Sequence, residues 1–180
     1  RLFNETKEAL EQQTATSEIL RVISQSQTDV QPVFDTIAAA ALELCGANSA
    51  NVFTIDGELI HLAARVSSNP AGDEAVRRAY PRPLDRNIAI GRAMLTRRAA
   101  SIPDVLEDPG YGMRETALAV GFRSILAVPL LRDGEPIGAI SASRPEPGPF
   151  PDKQIALLQI FADQAVIAIA NVQLFTQLGA

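Results

Sequence analysis

Chemistry in this chain would have to come from very few residue types. There is one cysteine, Cys45, and one histidine, His61. A serine-hydrolase triad would have to use His61 as its base, and no Gly-x-Ser-x-Gly elbow is present. A phosphate-cradling loop needs a lysine after its glycines, and Gly110-Tyr-Gly112 has none. One Cys with one His cannot build a structural zinc site, so no metal is expected. Cys45 has no neighbour to pair with in a disulfide and no adjacent basic group to activate its thiol, so it reads as a small buried hydrophobe. As a haem ligand, His61 would need an apolar cavity with an open face, and a single histidine in a strand is no constellation. Glu107-Asp108 is a carboxylate pair in a segment rich in turn formers, where acids are usually solvated.

Charge is concentrated in one place. Arg77, Arg78, Arg82, Arg86, Arg92, Arg97 and Arg98 stand against Asp85 alone. Guanidinium forks suit carboxylate or phosphate groups, which makes Arg92 a candidate ligand-binding residue. The competing reading is a solvated face that pairs with Asp104, Glu107, Asp108 and Glu115.

The elements that would position these residues can be read from turns and periodicity. Ser124 to Leu131 is apolar and β-branched, Asp133-Gly134 turns, and Glu135 to Ser143 returns as a second strand. Pro145 to Pro151 ends the pairing, because proline cannot donate to a ladder. From Asp152, apolar residues at Ile155, Leu158, Phe161, Ala162, Ala165, Ile169, Val172 and Phe175 predict one long amphipathic helix. A second hairpin runs from Ala50 to Ala64 through Asp56-Gly57, and Ala99 to Pro103 is a further strand. Between Thr28 or Asp29 as cap and Gly46 as stop, Val30, Val33, Phe34, Ile37, Ala38, Ala41 and Leu44 mark another helix. Short helices are expected at 73–79, 90–95 and 113–120. Residues 2–26 favour helix, but their apolar stripe (Leu2, Phe3, Ala9, Leu10, Ile19, Leu20, Val22, Ile23) is thin enough to need a partner.

The runs LAVPLLRDGEPIGAI and DKQIALLQIFADQAVIAIANVQLF resemble the C-terminal half of a GAF domain, a small-ligand and regulatory module of bacterial signalling proteins. The resemblance implies an α/β (α+β) fold, with an antiparallel sheet of five or six strands. The terminal helices would pack on one face, with short helices and loops forming a pocket on the other. It divides the chain into an N-terminal signalling helix, 1–26, and the domain proper, 27–178, whose last helix, 152–178, projects toward an output domain. Pocket-lining roles carry over to Asp104 and Tyr111 from the loop and to Ser124, Ser141 and Ser143 from the strands. Bilin-binding relatives attach their chromophore to a pocket cysteine, whereas Cys45 lies on the helix behind the sheet. A covalent bilin is therefore disfavoured, as is haem. The Asn-Lys-x-Asp-Glu signature of cyclic-nucleotide-binding relatives is not found.

The implied function is a sensory or regulatory input module, with a histidine kinase as the commonest setting. A small ligand would bias a homodimeric helical stalk whose seam is expected at Leu20, Ile23, Ala165, Ile169 and Val172. A ligand-free dimerisation spacer is the alternative. A sulfoxide reductase is a remote one, since that chemistry needs several reactive thiols. No phosphoacceptor histidine stands on the long helices, so the segment itself is not expected to be an enzyme. Both ends are helical in pattern, as expected of a piece of a longer protein.

Composition agrees with this picture. Apolar residues make up 47% and charged residues 21%, and the net charge of −5 argues against general nucleic-acid binding. The most apolar tract, Ile155 to Val172, is interrupted by Gln159, Asp163 and Gln164, so no membrane span is expected and cytoplasmic residence is the simplest reading.

Overall fold

The two Asp-Gly turns close as hairpins, and around them the chain builds a six-stranded antiparallel sheet in the order β3-β2-β1-β6-β5-β4. The computed structural model describes residues 2–26 and 28–179, with side chains described from 5 to 26 and from 28 to 174. Arg1, Gln27 and Ala180, and the side chains of Leu2, Phe3 and Phe175, lie outside the described residues. The first hairpin is β1 (Ser49–Asp56) and β2 (Leu59–Ser67), and the second is β5 (Ser124–Arg132) and β6 (Glu135–Arg144). Asp133 and Gly134 both take positive φ, 53° and 80°, as a two-residue turn matched to strand twist requires. The edges are short: β3 (Arg82–Pro83) on β2, and β4 (Ala100–Ile102) on β5. Pro129 falls where β5 has run past the end of β4, so its missing N–H costs no ladder bond on that side.

Helices α1 (Leu2–Gln25), α2 (Gln31–Leu44) and α6 (Asp152–Gly179) cover one face. The short helices α3 (Asp73–Ala79), α4 (Ala89–Thr96) and α5 (Arg114–Val120) cover the other. The central strands therefore bury both faces. In β5, Leu126 and Val128 join the α1/α2/α6 layer, while Ile125 and Ala127 join the opposite one. In β6, Ile140 and Ala142 alternate in the same way with Ala139 and Ser141. This is why these strands read as unbroken apolar runs. Val30 occupies the cap position of α2 without a side-chain bond, and Asp29 instead accepts the Gln31 amide at 3.0 Å.

The terminal helices depart from expectation. α1 is not a free tail: Ile19 and Ile23 are buried in the layer formed by α2, the sheet and α6. Ile23 and Ala165, expected on a seam between two copies, are thus spent on the chain's own core. Leu20 is exposed, and Ile169 and Val172 are half-buried. Asp152–Leu174 is, by length and hydropathy, apolar enough to cross a membrane, which the three polar interruptions had argued against. In the fold its Leu158, Phe161, Ala162 and Ala165 lie on the sheet, while Ile160, Ile167 and Leu174 are exposed on its outer side. Burial of a side chain such as Phe161, fully enclosed here, contributes about 1.5–3 kcal/mol.

Candidate functional site

One irregularity in the first hairpin decides what faces the α3–α5 layer. Val52 pairs with Ala64 but Phe53 pairs with Leu62, leaving Ala63 as an extra residue in β2. Ile60 and Leu62 therefore face the α3–α5 layer while Ala64 faces α2. Beyond the bulge it is the odd-numbered residues that face α3–α5, and Arg65 comes to lie beside its cross-strand partner Asn51. Strict alternation from Ile60 would have sent the Arg65 guanidinium into the core beneath α2.

Arg65 anchors a polar network on the floor of the sheet. Its side chain is 4% exposed, and its Nε donates to Asp73 Oδ1 at 3.0 Å on the first turn of α3. Its Nη1 donates to Asn51 Oδ1 at 3.1 Å. Since arginine can only donate, the Asn51 amide is oriented, and its Nδ2 donates to Ser141 Oγ at 3.3 Å. The Ser141 hydroxyl accepts that bond and keeps its own hydrogen. Alongside, Asn48 Nδ2 donates to Gly121 O at 3.2 Å, so Asn48 Oδ1 accepts from Ser143 Oγ at 3.0 Å. Ser143 in turn must accept from Ser49 Oγ at 2.6 Å. Arg65 Nη2 is buried and has no hydrogen-bond partner among the described residues.

Above this floor is a cavity of about 40 Å³. Phe53, Tyr80, Tyr111, Met113 and Phe122 form its aromatic and apolar wall, and Ile88, Ala89 and Ile90 bring the start of α4 to it. The Phe53 and Tyr80 rings are 4.8 Å apart at 46°. Burial holds the Tyr80 and Tyr111 phenols well above their ordinary pKa, so both are neutral hydroxyls at physiological pH. Among the described residues that line the cavity there is no carboxylate. A space of this size takes roughly one to three waters, or a molecule of a few heavy atoms. A wider groove of about 580 Å³ between α1 and α2 is open and acidic, with Glu11, Glu18, Asp35 and Glu43 along it.

The sequence candidates divide evenly around this cavity. Tyr111, Ser141 and Ser143 line it. Asp104, Ser124 and Arg92 do not, and their polar atoms are committed elsewhere. Arg123 grips Asp104 with bonds of 2.9 and 2.5 Å, and Ser124 Oγ donates to Glu146 O at 2.8 Å. Arg92 forks onto Asp108 at 2.8 and 3.0 Å and also donates from Nε to Arg86 O. These arginines hold the carboxyls of Asp104 and Asp108 below the usual carboxylate range. Arg92 therefore positions the loop that presents Tyr111. The other paired arginines of its segment include Arg78 with Glu74 and Arg97 with Glu135. Arg65 and Asn51 escaped the sequence reading; the available signal was an arginine set between Ala64 and Val66 inside an apolar strand. Cys45 is buried in the α2 layer, away from the cavity, and desolvation pushes its thiol up to about 11. His61 is half-buried, and among the described residues no group of three or more His, Cys, Asp or Glu could hold a metal.

A family profile described as the GAF domain matches residues 29–169. The chain belongs to the GAF family. Solved structures share the fold at low identity. A free methionine-R-sulfoxide reductase from Neisseria meningitidis, in complex with its substrate, superposes with a TM-score of 0.75 at 21% identity, covering 93% of each chain. Residues 122 to 287 of a methyl-accepting chemotaxis protein give 0.68 at 24% identity, covering 87% of this chain and 97% of that one. A domain described as that of a two-component sensor histidine kinase from Sinorhizobium meliloti gives 0.68 at 16%, covering 84% and 99%. At these identities the likeness is one of fold. No curated protein sequence matches the chain. The GAF fold accounts for the two-sided burial: the cavity and the terminal helices share the same strands.

Proposed function

We propose that this GAF domain is the sensory input module of a multidomain bacterial signalling protein of the histidine kinase type, resident in the cytoplasm. A small molecule enters the cavity over β1, β2 and β6, and the response passes through the sheet to α1, α2 and α6. The observation that carries this reading is the cavity whose floor holds a buried cation with a free donor. Neighbours in signalling proteins support it at the level of fold. A homodimer through the terminal helices is part of the proposal. Its seam would use the exposed Leu20 with Ile160, Ile167 and Leu174, the last three spaced seven residues apart on α6, together with the accessible parts of Ile169 and Val172.

The cavity volume favours one other reading, a ligand-free spacer, since pockets for drug-sized molecules run to roughly 300–1,000 Å³. Native mass spectrometry of the purified chain, with a thermal-denaturation screen against a metabolite panel, separates the two. A bound small molecule or a stabilising compound supports sensing. An empty protein unmoved by the whole panel supports the spacer. Reductase chemistry fits less well, because the lone thiol is buried on the far side of the sheet from the cavity.

A further inference from the structure

We infer that the cavity is a site for a small organic acid, bound through its carboxylate by Arg65. This rests on the reading of the cavity as a ligand site and names the class of ligand. Three observations converge on it. The first is the guanidinium itself. Arg65 is almost wholly enclosed, Asp73 takes one N–H and Asn51 another, and the buried Nη2 still has two hydrogens to donate. A buried donor left empty is costly, and a planar oxygen anion is the partner that matches it best.

The second is the start of α4. Ile88 is its cap residue, no side chain caps it, and Ile88, Ala89 and Ile90 all line the cavity. The helix therefore presents its positive end at the same space, the arrangement that favours an anion. The third is the rest of the wall. Ser141 retains a hydroxyl hydrogen, the Tyr111 phenol is neutral, and no described lining residue is an acid that would repel the ligand. Phe53 and Ile88 add apolar surface suited to a short hydrocarbon body, and a volume of about 40 Å³ limits that body to a few carbons. Acetate, propionate and butyrate have this chemistry.

The test uses the whole chain. Isotope-labelled protein is titrated with sodium acetate, propionate and butyrate, and in parallel with acetamide, propionamide and butyramide, while backbone amides and the Arg65 Nε–H are followed by NMR. The acids are expected to shift the first amides of α4 and the Arg65 resonance, saturably, with the amides at least about tenfold weaker, as loss of a charge-assisted bond implies. Arg65→Met should weaken the acids by a similar factor and leave the amides unchanged. Should Arg65→Met not fold, Arg65→Lys and Ser141→Ala take its place, and the comparison of acid with amide in the unaltered protein decides by itself. Amides that bind as well as acids, or acids that bind Arg65→Met undiminished, would overturn the carboxylate assignment while leaving a ligand-binding cavity intact. Absence of binding by acids and amides alike would also overturn it, and the metabolite panel then decides whether the cavity binds anything.

Discussion

Removing Asp73 should damage this protein more than removing the arginine it holds. The pair is asymmetric: the Arg65 side chain is 4% exposed, whereas Asp73 is 28% exposed at the start of α3. In Asp73→Ala the guanidinium stays buried with only the neutral Asn51 acceptor at 3.1 Å. Breaking a fully buried pair in this way costs about 3–5 kcal/mol; because water reaches the Asp73 side, about 2–3 kcal/mol is expected here. In Arg65→Met the stem is replaced by a chain of similar length, and the remaining carboxylate is hydrated and sits on the first turn of a helix. That loss should be smaller, about 1–2 kcal/mol, most of it from the buried Asn51 Oδ1, which loses the donor at 3.1 Å.

Urea denaturation followed by far-UV circular dichroism measures both, and for a chain of this size the Asp73→Ala cost corresponds to a fall in Tm of roughly 5–10 °C. The double variant should lie close to Arg65→Met, because with no buried cation the carboxylate has nothing left to neutralise. An Asp73→Ala protein as stable as Arg65→Met, or a double variant whose losses simply add, would refute the claim that Arg65 is a desolvated charge.

Cys45 should resist Ellman's reagent in the native state, since a thiol raised from 9.0 to about 11 carries about a hundredfold less thiolate, and it is fully buried as well; prompt labelling without denaturant would contradict its placement. Asp108, held down by Arg92, binds fewer protons folded than unfolded, so its contribution to stability is complete above the unfolded value near 3.8 and is lost as pH falls through the lower folded value. The acid limb of a stability profile should therefore be shallower in Arg92→Leu, and an unchanged limb would count against the pair. Ile167→Lys should leave a folded protein and lower its apparent mass in light scattering if α6 forms a seam, whereas Ala165→Lys should unfold it, because Ala165 is enclosed within the single chain.

Much of the architecture was legible because its signals are local. Asp56-Gly57 and Asp133-Gly134 announced both hairpins, and the spacing of Leu158, Phe161 and Ala165 announced α6. What covers an apolar stripe is not local information. Ile23 and Ala165 look the same in sequence whether a second copy or the chain's own sheet buries them, so their assignment to a seam failed for that reason. The floor of the cavity was hidden differently. Parity along a strand identifies a face only while alternation holds, and the extra residue at Ala63 reverses it just before Arg65. Arg92 and Asp104 misled in the opposite sense: both have the right chemistry for a ligand, but each already has an ionic partner across a loop.

The bulge also bears on how a signal could cross the sheet. Asn51 and Ser141 meet in the cavity floor, and their immediate neighbours Val52 and Ile140 face α2 and α6 from the same strands. Neighbouring residues of a strand lie only about 3.3 Å apart, and a close-packed interior has no slack to absorb a shift of that floor. On the proposed sensing role, filling the cavity draws Arg65 and Asn51 toward the ligand, and the displacement reaches the helices through Val52 and Ile140. Asp73 is the second exit, because it holds the Nε of the same planar guanidinium whose Nη2 is left for the ligand. A ligand on Nη2 adds a bond without displacing the one to Asp73, so any shift of the rigid guanidinium plane is felt at the first turn of α3 as well as at Asn51. Such a ligand can bias the domain only by as much as it prefers one placement of that plane over another.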